Sequence, residues 1–271
     1  MDEHAEIIRD LGVTPTFDPE DEIERRTEFL ADYLRFTGAK AYVLGISGGV
    51  DSLTAGMLAQ AAVRRAGSAR LIAVRLPYGL QRDEADAQAC LNVIKPDRVV
   101  TVDVKPAADA MFEAVKQDAG DLIDPERADF HLGNVKARER MIAQYAIAGG
   151  VRGLVIGTDH AAEALMGFFT KFGDGAADIL PLSGLNKRRI REIATKLGAP
   201  QKLVYKVPTA DLETNAPLRP DEDAYGVSYE QIDDFLEGKE IDGAARERIL
   251  TAYRATAHKR ALPVAPSGSP N

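Results

Sequence analysis

The chain has no tryptophan and a single cysteine, Cys90, in 271 residues. A lone thiol excludes a disulfide framework, and no cysteine pair offers a zinc site. Histidine is scarce as well, with four copies. There is no N-terminal apolar signal and no run approaching a membrane span, so a soluble, cytoplasmic protein is expected. Positive charge is in deficit, with 34 Lys and Arg against 42 Asp and Glu and a net charge of −8. That balance argues against a nucleic-acid binder as a whole, while leaving room for a local basic patch. No internal repeat and no strong interdomain linker is visible. The length suits one large α/β domain or two small ones. We expect one domain over 1–262 and a Pro-, Ser- and Gly-rich flexible tail over 263–271.

The stretch that organises the chain is Gly45-Ile46-Ser47-Gly48-Gly49-Val50-Asp51-Ser52. It follows the apolar run Ala41–Leu44, which reads as a buried strand, and precedes Leu53–Ala59, which has helical spacing. Adjacent glycines let the backbone turn sharply and approach a ligand, while the free N–H groups of the next helix point outward with its positive dipole end. That is an anion cradle, most naturally for phosphate. It is not a Walker A loop, since no lysine follows Gly49, and it is not the dinucleotide fingerprint, whose glycines are spaced. An acid, Asp51, stands in the lysine's place. A carboxylate among phosphates makes sense with a divalent cation between them, and Mg²⁺ prefers oxygen ligands. The plainer reading is a Gly-rich turn with Asp51 as a helix cap. Five specified positions, however, match by chance only about once in a million sites at average residue usage.

Along the chain, residues 1–17 read as a short helix and a loop. Asp18-Pro19-Glu20-Asp21-Glu22 caps a helix with Ile23, Thr27, Leu30 and Leu34 on one face and Gly38 as its stop. Arg70–Val74 and Arg98–Val102 are further β-branched runs separated by a helix, giving a βαβαβ pattern. The fold expected is α/β: a doubly wound, mainly parallel sheet flanked by helices. Ligands then lie outside the carboxyl ends of the strands. Arg75, Gln81 and Arg82 leave the second strand at that edge and are candidate contacts for the phosphate-bearing ligand, or else ordinary surface polar residues. Cys90, among Ala and Leu, reads as a small core residue.

Another helix is expected over Ala107–Lys116, and a longer one from Gly133. In the latter, Lys136, Arg138 and Arg140 at the start oppose the helix dipole and hint at an anionic ligand or partner, a solvated charged face being the commoner cause. A fourth strand, Gly153–Gly157, delivers Thr158, Asp159, His160 and Glu163 to the same edge. Glu163 can supply a second carboxylate for Mg²⁺. His160 and Glu163, at i and i+3, could alternatively pair as metal ligands, but without a second such motif zinc ranks low. Asp174 sits between glycines on a tight turn, where aspartate is usually structural. Ile179–Leu182 reads as a short strand. Asn186 caps an amphipathic helix that begins with Lys187, 208–223 reads as a mobile loop, Ser228 caps a helix through Leu236, and Ala244–Ala257 forms the last one.

The loop resembles that of the PP-loop (N-type) ATP pyrophosphatases, of the adenine nucleotide alpha hydrolase-like fold, which split ATP to AMP and pyrophosphate while adenylating a substrate oxygen. Later blocks narrow the resemblance to the NAD synthetases in their ammonia-dependent form. These are Tyr78–Glu84, Gly133–Arg138, Gly157–Glu163, Phe168–Gly175, Pro208–Leu212 and the closing His258-Lys259-Arg260, in one order over about residues 20–262. Val50 stands where many members carry Gln. The resemblance implies amidation of nicotinic acid adenine dinucleotide (deamido-NAD) by ammonia, the last step of NAD biosynthesis. It implies that Gly45, Ile46, Ser47, Gly48, Gly49, Val50, Asp51 and Ser52 bind the ATP phosphates, that Asp51 and Glu163 hold Mg²⁺, and that Arg75, Gln81, Thr158, Lys187 and Thr209 contact ATP. Arg138, Lys171, Asp178, His258 and Lys259 would contact deamido-NAD, which in the family lies across a homodimer interface. Asp51, Lys187 and Asp174 are the catalytic candidates, Asp174 to help deprotonate ammonium or to orient ammonia. Other PP-loop enzymes fit less well: the thiolases need reactive cysteines and a basic RNA surface, and the GMP and asparagine synthetases need glutaminase machinery. A nucleotide-sensing module that binds ATP without turnover is the non-enzymatic alternative.

Overall fold

A computed structural model describes residues 2–79, 83–210, 219–264 and 266. After α1 (Glu3–Asp10) comes α2 (Pro19–Thr37), started by the Asp18 carboxylate, which accepts the N–H groups of Glu20 and Asp21 at 2.9 and 3.0 Å. Gly38 ends it at φ 68°, as its left-handed stop requires. Then follow β1 (Ala41–Gly45), α3 (Val50–Ala66), β2 (Arg70–Arg75), α4 (Glu84–Ile94), β3 (Arg98–Thr101), α5 (Lys105–Ala119), α6 (Ala128–Val151) and β4 (Gly153–Ile156). All four strands are parallel, in the order β3-β2-β1-β4. The central strands alternate between two buried faces. Tyr42, Leu44, Leu71 and Ala73 join the core beneath α2, α3 and α8 (Lys187–Lys196), whereas Val43, Ile72, Val74 and Val155 face Ala148 of α6.

The chain order reverses between β1 and β4, so the switch point lies where the Ser-Gly-Gly loop and the turn after β4 emerge side by side. A third core packs α1 and α7 (Ala161–Met166) against the C-terminal elements. After α8 these are α9 (Gln201–Val204), β5 (Thr209–Ala210), β6 (Arg219–Pro220), α10 (Asp221–Tyr225), α11 (Tyr229–Leu236), α12 (Gly243–Ala255) and α13 (Ala257–Arg260). Among the described residues no helix is long and apolar enough to cross a membrane.

The structure differs from the sequence reading in four places. Ile179–Leu182 is not a strand: Ile179 makes only an isolated parallel bridge to Ile156 before the chain turns. Helix α6 starts at Ala128 with Asp129 in its first turn, and Gly133 is buried within it. Lys136, Arg138 and Arg140 therefore lie past the first turn, and the conflict with the helix dipole disappears. At the ends of the expected 208–223 loop, β5 and β6 pair as a short antiparallel ladder that leads into α10, while 211–218 lie outside the described residues. The last expected helix stops at Ala255 and resumes as α13.

Candidate active site

The Ser-Gly-Gly turn is held by its own hydroxyls. Ser52 Oγ accepts the Ser47 N–H at 3.3 Å and donates to Gly49 O at 3.1 Å, while Ser47 Oγ accepts the Gly49 N–H at 3.2 Å. Gly48 is at φ 88°, and a Cβ there would stand 2.9 Å from the Ala87 backbone nitrogen. Glycine is thus required twice, for the left-handed backbone and for the close approach of α4. At the end of β1 the Gly45 N–H is received by Gln144 Oε1 at 2.9 Å, which ties the loop to α6.

Asp51, in the first turn of α3, meets Lys187 from the first turn of α8, Nζ to the carboxylate oxygens at 2.8 and 3.0 Å. Lys187 is buried and is aimed by a double cap. Asn186 accepts the Arg189 N–H, and Asp233 of α11 accepts the N–H groups of Lys187 and Arg188 at 3.0 and 2.8 Å. Burial favours neutral groups, but each partner outweighs it for the other: Asp51 is held below its ordinary value and Lys187 above its own. Glu163 lies beside them and has no such luxury of a dedicated cation. Its burial, reinforced by Asp51, Asp159 and Asp174, raises its carboxyl well above the ordinary value despite Lys187. His160, also at this point, is pushed down to about 3 by burial and by Lys187, so its ring is neutral.

One donor atom each of Asp51, His160 and Glu163 falls within 4.8 Å of the others. Asp221 adds another buried carboxylate, accepting the Tyr229 hydroxyl at 3.0 Å while its Oδ1 lacks a hydrogen bond among the described residues. A single ammonium amid this many carboxylates leaves negative charge in surplus. Asp51 and Glu163 therefore fit a hard divalent ion such as Mg²⁺.

Asp51, Glu163 and Asp221 open onto a cavity of about 400 Å³. The Gly45–Ser52 loop, Gly48 excepted, Arg75, Thr158, Glu163, Asp174, Thr209 and Lys259 line it. Arg75 is buried in its wall, donating to Ile46 O and, at 2.7 Å, to Glu84. Asp174 stays open to the cavity, yet the protein closes round it enough to raise its carboxyl, an effect opposed by the Thr170 N–H donating at 2.8 Å. Asp159, half-buried behind it, is pushed up to about 8 by burial and by Asp174.

Of the remaining expected contacts Lys259 lines the cavity, whereas Arg138, Lys171, Asp178 and His258 are not among its lining residues. Arg138 is exposed and donates to Lys171 O at 3.3 Å, and Lys171 Nζ donates to His258 O. Lys259 Nζ donates to Gly167 O and Phe169 O, both at 2.9 Å. Asp178 is exposed, and its carboxylate accepts the Val155 N–H at 2.7 Å. Gln81 and Arg82 lie outside the described residues.

Sequence reasoning did not single out Lys206, Gln144 or Asp221. Lys206 pairs with Asp86 at 2.9 Å and reaches Gly48 O at 3.5 Å, laying a cation against the Ser-Gly-Gly loop. Gln144 carried a usable signal, since it follows Arg140 by one helical turn on the cavity face. Lys206 and Asp221 carried none, because only the packing of α9 to α11 brings them to the loop.

The profile of the NAD synthase family matches residues 22–263. An NH3-dependent NAD+ synthetase of Burkholderia pseudomallei is 62% identical over 261 residues, covering 95% of this chain and 92% of the relative. A crystal structure of NAD+ synthetase from Burkholderia pseudomallei superposes with a TM-score of 0.83 at 59% identity, covering 96% of both chains. The structure of an NMN synthetase from Francisella tularensis gives 0.82 at 35% identity, over 93% of this chain and 100% of that one.

Proposed function

The chain belongs to the NAD synthase family, and from that membership we propose that it is a ligase that amidates deamido-NAD with ammonia and ATP, yielding NAD, AMP and pyrophosphate. This is the last step of NAD biosynthesis, carried out in the cytoplasm. The observation that supports it best is one cavity lined by the Ser-Gly-Gly loop, Asp51 and Glu163 together with Asp174 and Lys259. Such a cavity lets a nucleotide triphosphate and a second substrate meet.

In this reading the loop N–H groups and the α3 dipole hold the ATP phosphates. Arg75, Thr158 and Thr209 border the nucleotide, and Gln81 adds a contact. The nicotinate carboxylate attacks the α-phosphate and pyrophosphate departs, with Lys187 bringing fixed positive charge to the floor of the site. A Mg²⁺ ion held by Asp51 and Glu163 would supply charge neutralisation for the phosphates. Asp174, a carboxylate acceptor on the cavity lining, takes a proton from ammonium or orients ammonia. Ammonia then adds to the acyl carbon of the adenylate, and the bond to AMP breaks. Arg138, Lys171, Asp178, His258 and Lys259 bind deamido-NAD. That site is shared across a homodimer, to which the exposed Met111, Phe130 and Ile142 on α5 and α6 lend an apolar face.

The test is an assay of the purified protein with ATP, Mg²⁺, ammonium and deamido-NAD. AMP, pyrophosphate and NAD should appear in equal amounts, and Asp51→Asn should abolish AMP formation while still melting cooperatively. Absence of AMP with deamido-NAD rejects the proposal. Nicotinate mononucleotide as the alternative acceptor separates this activity from that of the NMN synthetase relative, and light scattering checks the dimer.

A further inference from the structure

His160 has no part in the reaction just described, yet its placement is the least ordinary at the site. It caps α7 from the turn after β4, and its side chain is 0% exposed. Neither Nδ1 nor Nε2 makes a hydrogen bond to any described residue. Buried imidazoles nearly always have a partner on at least one ring nitrogen. Here Nε2 is 3.6 Å from Asp51 Oδ1 and 3.6 Å from Glu163 Oε2, beyond hydrogen-bonding range of both. It points between two carboxylates and bonds to neither.

That spacing has a simple meaning. Around an octahedral ion with bonds of about 2.1 Å, neighbouring donors stand about 3 Å apart and opposite donors about 4.2 Å. The three donor atoms here, separated by 3.6 Å on the two histidine edges and by no more than 4.8 Å overall, are close to that arrangement. Lys187 makes its shorter contact, 2.8 Å, to Asp51 Oδ2, so Oδ1, the oxygen that His160 faces, is the one placed for an ion. His160 and Glu163 sit at the cap and first turn of one short helix, which fixes their mutual spacing.

We propose that His160 Nε2 is a third protein ligand of the divalent ion held by Asp51 and Glu163, and that this nitrogen makes the site favour Mn²⁺ over Mg²⁺. The inference rests on the metal role given above to the two carboxylates. Magnesium takes oxygen donors almost exclusively, whereas imidazole is a good ligand for first-row transition ions. Two carboxylates and the phosphate oxygens keep the rest of the shell hard, which suits manganese better than zinc.

Pulsed EPR on the whole protein with Mn²⁺ and α,β-methylene-ATP tests this directly, since the analogue cannot be split at the α–β bond. Phosphorus-31 coupling places the ion at the triphosphate, and nitrogen-14 coupling reports a bound imidazole. The expected result is both couplings in the wild type. In His160→Gln the nitrogen signal should vanish, the phosphorus signal stay, and the Kd for Mn²⁺ rise by about tenfold, with a smaller change for Mg²⁺. Phosphorus without nitrogen coupling in the wild type overturns the inference and leaves the ATP-metal reading standing. Nitrogen coupling that survives in His160→Gln overturns it too, because another histidine would be the ligand. Bound Mn²⁺ with neither coupling overturns the inference and the metal reading together.

Discussion

Replacing Lys187 by Met keeps the buried stem and deletes the ammonium, which isolates what the charge does. Lys187 is 1% exposed in its side chain, and Asp51, its partner at 2.8 and 3.0 Å, is 20% exposed. Removing one member of a buried ion pair costs about 3–5 kcal/mol, since the other charge is stranded. Asp51, 20% exposed, lines the cavity and is partly solvated, so a cost at or just below that range, about 2–3 kcal/mol, is expected. For a chain of this size that lowers Tm by about 4–12 °C. The informative comparison is Asp51→Asn/Lys187→Met, which removes both charges and should recover more than half of the loss. Urea unfolding of the wild type, both single variants and the double variant yields the coupling energy, expected at about 1.5 kcal/mol or more. A Lys187→Met protein that melts within a degree of the wild type, or a cycle that is additive, refutes the claim that this pair is what keeps Asp51 ionised.

Three further outcomes follow from the same geometry. Gly48→Ala introduces a Cβ 2.9 Å from the Ala87 nitrogen at φ 88°, and the left-handed backbone alone costs about 1–2 kcal/mol; lower stability and a higher KM for ATP are expected, and an unchanged KM would show that the loop–α4 contact does not shape the cradle. Asp174→Asn should slow NAD formation more than pyrophosphate release in a single-turnover assay, and equal slowing would make Asp174 a structural residue only. Cys90 is buried, and burial pushes its thiol up to about 11. The native protein should therefore ignore a thiol reagent at pH 8 and react with one equivalent per chain in denaturant; fast native labelling would contradict the assigned burial.

The local grammar of the chain was legible because it acts over a few residues. Asp18 and Gly38 bracket α2, Asn186 and Ser228 cap α8 and α11, and the strand, Ser-Gly-Gly turn and helix run as expected. Strand periodicity and the helices between strands sufficed for a parallel α/β fold, with the site at the strands' carboxyl ends. Where signals were short and ambiguous the reading slipped. Gly133-Asn134 mimics a helix start inside α6, and the apolar Ile179–Leu182 makes one bridge instead of a strand.

The motif by itself determined a strand-turn-helix with Asp51 at the helix start, and it led to the expectation of a phosphate cradle beside that acid, since glycines, hydroxyls and an acid at fixed spacing have few other uses. Tertiary structure decided which charges Asp51 meets: Lys187 lies 136 residues away in sequence, and Lys206 lies 158 from Gly48. It also decided that Glu163 is shifted up, that His160 is neutral and without a hydrogen bond, and that Arg138, Lys171 and His258 are linked by hydrogen bonds. Desolvation and the field of neighbouring charges exist only once distant segments are packed together, and no pattern of residue types along the chain encodes their magnitude.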